Sequence, residues 1–190
     1  MSPILGIWAS SSAASRADTG AMFPIGSVVV GSAGVGSVTF SNIPSTYTHL
    51  HIRYLARATR NAGASQPAIR FNGDTGNNYV AHYVSSNGSV SAGIDGPSTN
   101  QIWGPPITGA TGNANTFGTA IVDILDYANT NKYKTVRQIG GVEANGSGFA
   151  NFNSGLWIST SAITSVTIRE GYGNNFVQYS TFVLYGIKGA

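Results

Sequence analysis

Residues 117–143, FGTAIVDILDYANTNKYKTVRQIGGVE, decide the fold of this chain. Two apolar segments rich in β-branched residues, 117–127 and 133–143, flank the polar connection ANTNK. β-Branched and aromatic residues favour strands, and Asn and Thr between two such runs favour a turn. The stretch therefore predicts a long antiparallel hairpin and not a pair of helices.

The same strand-and-turn pattern extends along the rest of the chain. Gly or Pro interrupts most windows that could form a helix, and Asn-Gly at 72–73, 87–88 and 145–146 supplies the positive φ pair of tight β-turns. We predict an all-β fold, an antiparallel two-sheet β-sandwich that is jelly-roll-like. The predicted strands are Ile4–Ala9, Ser27–Val30, Gly36–Ser41, His49–Thr59, Ala68–Asn72, Tyr79–Ser85, Gln101–Trp103, Phe117–Tyr127, Lys134–Glu143, Phe152–Ser159, Ser165–Arg169 and Val177–Ile187.

The length of 190 residues suits a single domain spanning residues 1–190. Within it we expect a short N-terminal strand or arm at about residues 1–12 and a long loop at about residues 85–116, whose Trp103 is an exposed anchor or a cover for one end of the sandwich. The residues expected to contact neighbouring molecules are Ile4, Leu5, Ile7, Trp8, Trp103, Pro105 and Pro106.

The composition favours a protein that assembles with other copies or partners. Hydrophobic residues make up 42 % of the chain and charged residues only 9 %, so Ser, Thr, Asn and Gly must cover the surface. Soluble domains that stay apart usually rely on charge. The alternative is a Gly-rich β protein with long turns. The chain has 0 Cys, so any stabilising link must come from oligomerisation.

The charge distribution argues against a nucleic-acid partner. The net charge of +3 reflects 10 basic against 7 acidic residues, and the local basic cluster is limited to Arg53, Arg57, Arg60 and Arg70. No run of eighteen apolar residues occurs, so we expect no membrane partner and read the chain as unprocessed.

His49 and His51 are the strongest metal-like feature of the sequence. Residues two apart on a strand point to one face and could share an ion, but His-x-His alone is a weak pattern. Surface histidines are the favoured interpretation, and we expect neither a metal nor a cofactor.

The carboxylates do not form an enzyme-like pattern. Asp123 and Asp126 are three apart, hence on opposite faces of a strand, which argues against a paired-carboxylate site. We expect Asp126 to accept turn amides, and Asp123, if it is buried, to need a partner such as Arg137 across the hairpin. The segment 74–78, DTGNN, predicts a plain turn more than a calcium loop. We therefore predict that the chain is not an enzyme.

Several segments of the chain resemble one family. It is a family of tailed-bacteriophage virion structural proteins, described as capsid decoration or fibre-associated, and the segments are ILGIWASS, VTFSNIPSTYTHLHIR, FNGDTGNNY, VDILDYANTNKYKTVR, NGSGF, SGLW, STSAITSVTI and QYSTFVLYGIKGA.

The resemblance implies a component of the virion surface and transfers no catalytic motif. We expect a homotrimeric capsid decoration or cement protein that contacts its own copies and other virion proteins such as the major capsid protein. The alternative is a tail-fibre or head-fibre adhesin that binds host-surface glycans through exposed aromatics. The aromatic side chains in question are Trp103, Trp157, Tyr172 and Tyr83.

Overall fold

The fold is all-β and is described by a computed structural model for residues 21–189, without the side chains of residues 95–98. No helix in that range could cross a membrane. The predicted N-terminal arm and its residues Ile4, Leu5, Ile7 and Trp8 lie outside the described residues. The strands are β1 (Met22–Val29), β2 (Ser37–Phe40), β3 (His49–Ala56), β4 (Ala64–Ser65), β5 (Pro67–Phe71), β6 (Tyr79–Ser86), β7 (Val90–Thr99), β8 (Ile102–Trp103), β9 (Ile107–Thr108), β10 (Gly118–Leu125), β11 (Lys134–Glu143), β12 (Gly148–Trp157), β13 (Val166–Glu170) and β14 (Thr181–Ile187).

An antiparallel sheet of eight strands forms the larger layer of the sandwich. Its strand order is β1-β14-β3-β10-β11-β12-β6-β7. The predicted hairpin is β10 and β11, which pair from Thr119↔Gly141 to Leu125↔Thr135. The two strands occupy the centre of the sheet, with three further strands on either side of them.

A smaller sheet with the order β2-β13-β5-β8 covers one face of the larger sheet, and β4 pairs with β9 beside it. The core between the layers arises from strict alternation of apolar side chains, as in β3, where Leu50, Ile52 and Tyr54 are buried. The all-β two-sheet sandwich is therefore confirmed. The largest fully buried side chains are Tyr79, Tyr127, Phe71, Lys134, Phe176, Phe182, Leu50, Ile52, Ile69, Ile102, Ile107 and Ile124.

Two of the three Asn-Gly turns have the predicted backbone geometry. Asn72 and Gly73 have φ of 52° and 68°, and Asn145 and Gly146 have φ of 52° and 99°. In the third turn Gly88 alone has a positive φ, at 106°, so the expected pair is wrong at 87–88.

The prediction of a long loop at about residues 85–116 is wrong. The segment contains β7, β8 and β9, and β7 pairs with β6 from Ser86↔Val90 to Tyr79↔Thr99. Gly and Pro in VSAGIDGPST lower its intrinsic strand preference, but pairing with a formed neighbour outweighs propensity. The irregular remainder, residues 110–116, is tied down by Arg57, whose guanidinium donates to four carbonyls there.

Candidate functional site

The candidate site is the face of the eight-stranded sheet that points away from the smaller sheet, here named the outer face. Alternation along each strand assigns its side chains, for example His51, Arg53 and Leu55 on β3 and Ile121 and Asp123 on β10. Because the opposite face of these strands builds the core, most of the outer face meets solvent in the described part of the chain, although His51 is only 7 % exposed.

An apolar row crosses the middle of the outer face. The strand register aligns Ile121 with Ile139, Ile139 with Phe152 and Phe152 with Val84, which places these four residues in one line over four strands. Their exposed fractions are 37 %, 58 %, 50 % and 48 %. Large aliphatic and aromatic side chains so exposed in a continuous line are unusual on a surface that remains in water.

Further apolar side chains widen this row into a patch. Leu55, Val90 and Ile94 lie on the same face beside this row and are also exposed, whereas exposed Leu125 is separated from it by Asp123. Judged from their exposed fractions, the seven neighbouring side chains present about 600 Å², at the upper end of the roughly 300–600 Å² typical of the largest apolar patch on a monomer. The outer face therefore has the character of an interface.

A polar row runs beside the apolar row. The register aligns His51, Asp123, Arg137, Ser154 and His82 on neighbouring strands. Asp123 Oδ1 lies 2.6 Å from His51 Nδ1, and Arg137 Nη1 donates to Ser154 Oγ at 2.7 Å. Asp123 and Arg137 are cross-strand neighbours as predicted, but the predicted ion pair between them is wrong because each turns to the strand on its other side.

The two histidines proposed as weak metal candidates are held by protein atoms. Arg53 Nε donates to His51 Nε2 at 3.1 Å, so both ring nitrogens of His51 have partners. His49 Nδ1 accepts the Asp126 amide at 2.9 Å. Among residues 21–189, no three His, Cys, Asp or Glu side chains are grouped as metal ligands.

Trp103 and its prolines belong to the packing between the sheets. Trp103 in β8 pairs with Ala68 in β5, and the ring centroid of Trp103 lies 5.1 Å from that of Tyr172. Trp103 is half-buried, and Pro105 and Pro106 are buried. The prolines of this segment thus support the fold of their own chain, and their contact with a partner stays a prediction.

The other aromatics proposed for glycan binding do not form one platform. Trp157 is 3 % exposed and packs against Phe71 and Tyr79, so it is wrong as an exposed aromatic. Tyr172 is exposed and lies beneath the Arg60 guanidinium, 3.8 Å from ring centroid to Cζ. Tyr83 lines a polar depression of about 320 Å³, which Arg60 also lines.

That depression is built from hydroxyls, amides and one guanidinium. Asn151 is buried there, and its Oδ1 accepts from Ser85 Oγ at 2.8 Å. Arg60 lines it while donating to the Ala64 carbonyl at 3.0 Å.

The basic cluster suggested by the sequence is dispersed into separate structural contacts. Arg53 binds His51, Arg57 binds the carbonyls of residues 110–116, and Arg60 stacks on Tyr172. Arg70 Nε donates to the Asn100 carbonyl at 2.9 Å. Each guanidinium therefore makes a contact that stabilises its own chain.

Two fully buried charges also have structural partners. Lys134 Nζ donates to the carbonyls of Asn129, Lys132 and Thr160 at 2.6, 2.8 and 3.1 Å. Burial lowers the pKa of this amine. Buried Glu170 accepts the amides of Tyr172 and Asn174, at 3.0 and 2.6 Å, and thereby shapes the turn after β13.

The side-chain oxygens of Asp and Asn at the turns accept hydrogen bonds from nearby donors. Asp126 does not accept turn amides with its side chain, which instead binds Lys132, and that hydrogen bond lowers the pKa of Asp126. Asn129 Oδ1 takes the predicted role by accepting the Asn131 amide at 2.8 Å. Asp74 Oδ1 accepts the Gly76 amide at 2.8 Å, which confirms a turn at 74–78.

Sequence reasoning missed the apolar row, although a signal was present. In IVDIL, residues 121–125, both faces of one strand carry apolar side chains. A strand with one solvated face would instead alternate apolar and polar residues.

Comparisons of the chain with family models, curated proteins and solved structures find no match.

Proposed function

We propose that this chain is a non-enzymatic structural component of a tailed-phage virion, a capsid decoration or cement protein at the particle surface. It acts through contacts between its own copies and with other virion proteins such as the major capsid protein. The observation that carries the proposal is the apolar patch on the outer face, centred on Ile121, Ile139 and Phe152.

The free energy of the system falls when the apolar side chains of this patch leave water and enter an interface. Removal of apolar surface from water stabilises association, and a stable interface needs about 800 Å² on each partner. The apolar side chains of the patch supply about three quarters of that area. The scarcity of charge, 9 % of residues, removes the repulsion that keeps other soluble domains apart.

The competing proposal is a fibre adhesin that binds host glycans. Trp157 is buried and Trp103 is half-buried against Tyr172, so the aromatic platform expected for that function is reduced. Structural assembly therefore has the better support, and a homotrimer remains the oligomer implied by the family resemblance.

Mass measurement on the full chain by light scattering at micromolar concentration tests the contact surface. We expect an oligomer that Ile139→Lys or Phe152→Lys shifts towards monomer, because a buried ammonium would oppose association. Tyr179→Lys is the matched control, since Tyr179 is also strongly exposed but lies outside the outer face. A native chain that stays monomeric, or variants that all assemble alike, would overturn the contact surface.

Imaging of particles that carry a labelled chain tests the location. We expect label distributed over the capsid. Label confined to the tail would overturn the decoration proposal and favour the adhesin.

A further inference from the structure

We infer that the outer face binds a second copy of this chain, docked face to face about a two-fold axis that runs along the strands between β10 and β11. The inference rests on the proposed function, because it names the partner for the same surface. A two-fold contact closes at two copies, so the outer face would form a dimer in place of the homotrimer implied by the family resemblance, and contacts with other virion proteins would use other surfaces. It follows from the strand order, the apolar patch and the placement of two opposite charges.

The strand order places this axis over the middle of the eight-stranded sheet. In β1-β14-β3-β10-β11-β12-β6-β7, four strands lie on each side of the line between β10 and β11. A two-fold rotation about that line places β10 over β11 of the second copy, β3 over β12, and β14 over β6. The whole outer face is then covered, which no other axis along the strands achieves.

The register then decides which side chains meet near the axis. Ile121 and Ile139 are cross-strand partners within one chain, so each lies over the other residue of the second copy. One strand further from the axis, Arg53 of one copy lies over the exposed ring of Phe152 of the other, because Arg53 pairs with Ile121 and Phe152 pairs with Ile139. An Arg guanidinium on an aromatic face is a favourable contact.

Charge complementarity selects this axis over its neighbours. Asp123 and Arg137 are also cross-strand partners, so the rotation places Asp123 over Arg137 of the second copy, twice in the dimer. An axis along β10 would oppose two Asp123 carboxylates, and an axis along β11 would oppose two Arg137 guanidinium groups. Like charges across an interface oppose binding, whereas opposite charges fix the register.

Within one chain these charges are not paired with each other. Asp123 uses Oδ1 for His51, and Arg137 uses Nη1 for Ser154 and the Val136 carbonyl. Each side chain is partly exposed and keeps further acceptor or donor positions for a second copy. Because packed sheets are rotated by about 30°, the match is best close to the axis, where these residues lie.

Charge reversal with mixing tests the inference on the full chain. Asp123→Arg gives a chain with two positive groups at these positions, and Arg137→Asp gives one with two negative groups. We expect each variant alone to dimerise at least about tenfold more weakly, which corresponds to about 1.4 kcal/mol. A 1:1 mixture should regain a dimer of near-native strength, because the two chains are complementary only to each other.

Mixing separates association from folding, because it leaves each chain's internal contacts unchanged. Arg70→Glu is the matched control, a charge reversal on a partly exposed residue in β5 of the smaller sheet, away from the outer face, and should change the dissociation constant less than about threefold. Sedimentation equilibrium measures the native chain, the two single variants, their mixture and the control.

Three outcomes would overturn the inference. A mixture that stays monomeric, or single variants that dimerise like the native chain, would exclude the two-fold register. If Ile139→Lys still disrupted the native oligomer in those cases, the outer face would remain the contact surface and the proposed function would stand. A native chain that is monomeric throughout would overturn both.

Discussion

The indole nitrogen of Trp157 donates to Asp74 Oδ2 at 2.7 Å and so joins the end of β12 to a turn 83 positions away in the chain. Trp157 is 3 % exposed and stacks on Tyr79, so its N–H has no route to water that would replace this acceptor. Asp74 also accepts from Asn78 and from the Gly76 amide, and it thereby fastens the turn to the larger sheet.

We predict that Asp74→Ala lowers the free energy of unfolding by about 1–3 kcal/mol, because a buried indole N–H loses its charged acceptor. Asp74→Asn should lose less, since the amide oxygen can still accept from Trp157. Urea unfolding followed by tryptophan fluorescence measures both. Equal losses in the two variants would contradict the assigned role of the carboxylate.

The same carboxyl group predicts a pH dependence. Burial alone would raise the pKa of Asp74, but hydrogen bonds from Trp157, Asn78 and Gly76 lower it below its ordinary value. A lowered pKa in the folded chain means that the stabilisation is complete above the ordinary pKa, near 4, and is lost as pH falls through the lower folded value. The urea midpoint should fall between about pH 5 and 2, and less steeply in Asp74→Asn. Urea midpoints that fall equally with pH in the native chain and in Asp74→Asn would contradict the assigned role of the Asp74 carboxylate.

Buried Lys134 predicts a second stability effect. Lys134→Met keeps an apolar stem of similar length but leaves the carbonyls of Asn129, Lys132 and Thr160 without their donor. We expect a loss of about 2 kcal/mol in urea unfolding. The control Lys132→Met removes an exposed ion pair with Asp126 and should cost under about 1 kcal/mol. A larger loss of stability in Lys132→Met than in Lys134→Met would show that the hydrogen bonds from Lys134 to the three carbonyls contribute little.

Arg57 predicts a local effect on the segment 110–116. Removing its guanidinium in Arg57→Ala takes away donors to four backbone carbonyls of that segment. We expect amide hydrogen exchange there to accelerate at least about tenfold, while exchange in β10 and β11 stays unchanged. Arg70→Ala, which removes a donor to the Asn100 carbonyl, is the control and should leave 110–116 unaffected.

The fold was largely predictable because local pattern and tertiary pairing agree over most strands. The predicted strand at 134–143 has the observed bounds Lys134–Glu143, and 117–127 contains the observed Gly118–Leu125. Agreement failed at β7, where Gly93 and Pro97 oppose strand formation in isolation and β6 supplies the pairing that overrides them. Such pairing lies outside the reach of any local pattern.

The candidate site was less predictable, because a hairpin pattern shows only one neighbour of each strand. Asp123 was expected to bind Arg137 on β11, and the register is correct, but β10 also pairs with β3, where His51 lies opposite Asp123. The carboxylate pairs with the histidine at 2.6 Å. Exposure of Ile139 and Phe152 depends on four strands being aligned, which the sequence of one strand does not encode.

Pro24 and Pro97 lie in β1 and β7, the two strands that end the larger sheet in the described part of the chain. A proline contributes no backbone donor, and the register of β1 also shifts between Pro24 and Gly26. An additional strand from another copy would therefore find an interrupted hydrogen-bond ladder at either edge. Copies are discouraged from joining edge to edge into an open-ended fibre, and association is directed into closed, finite assemblies.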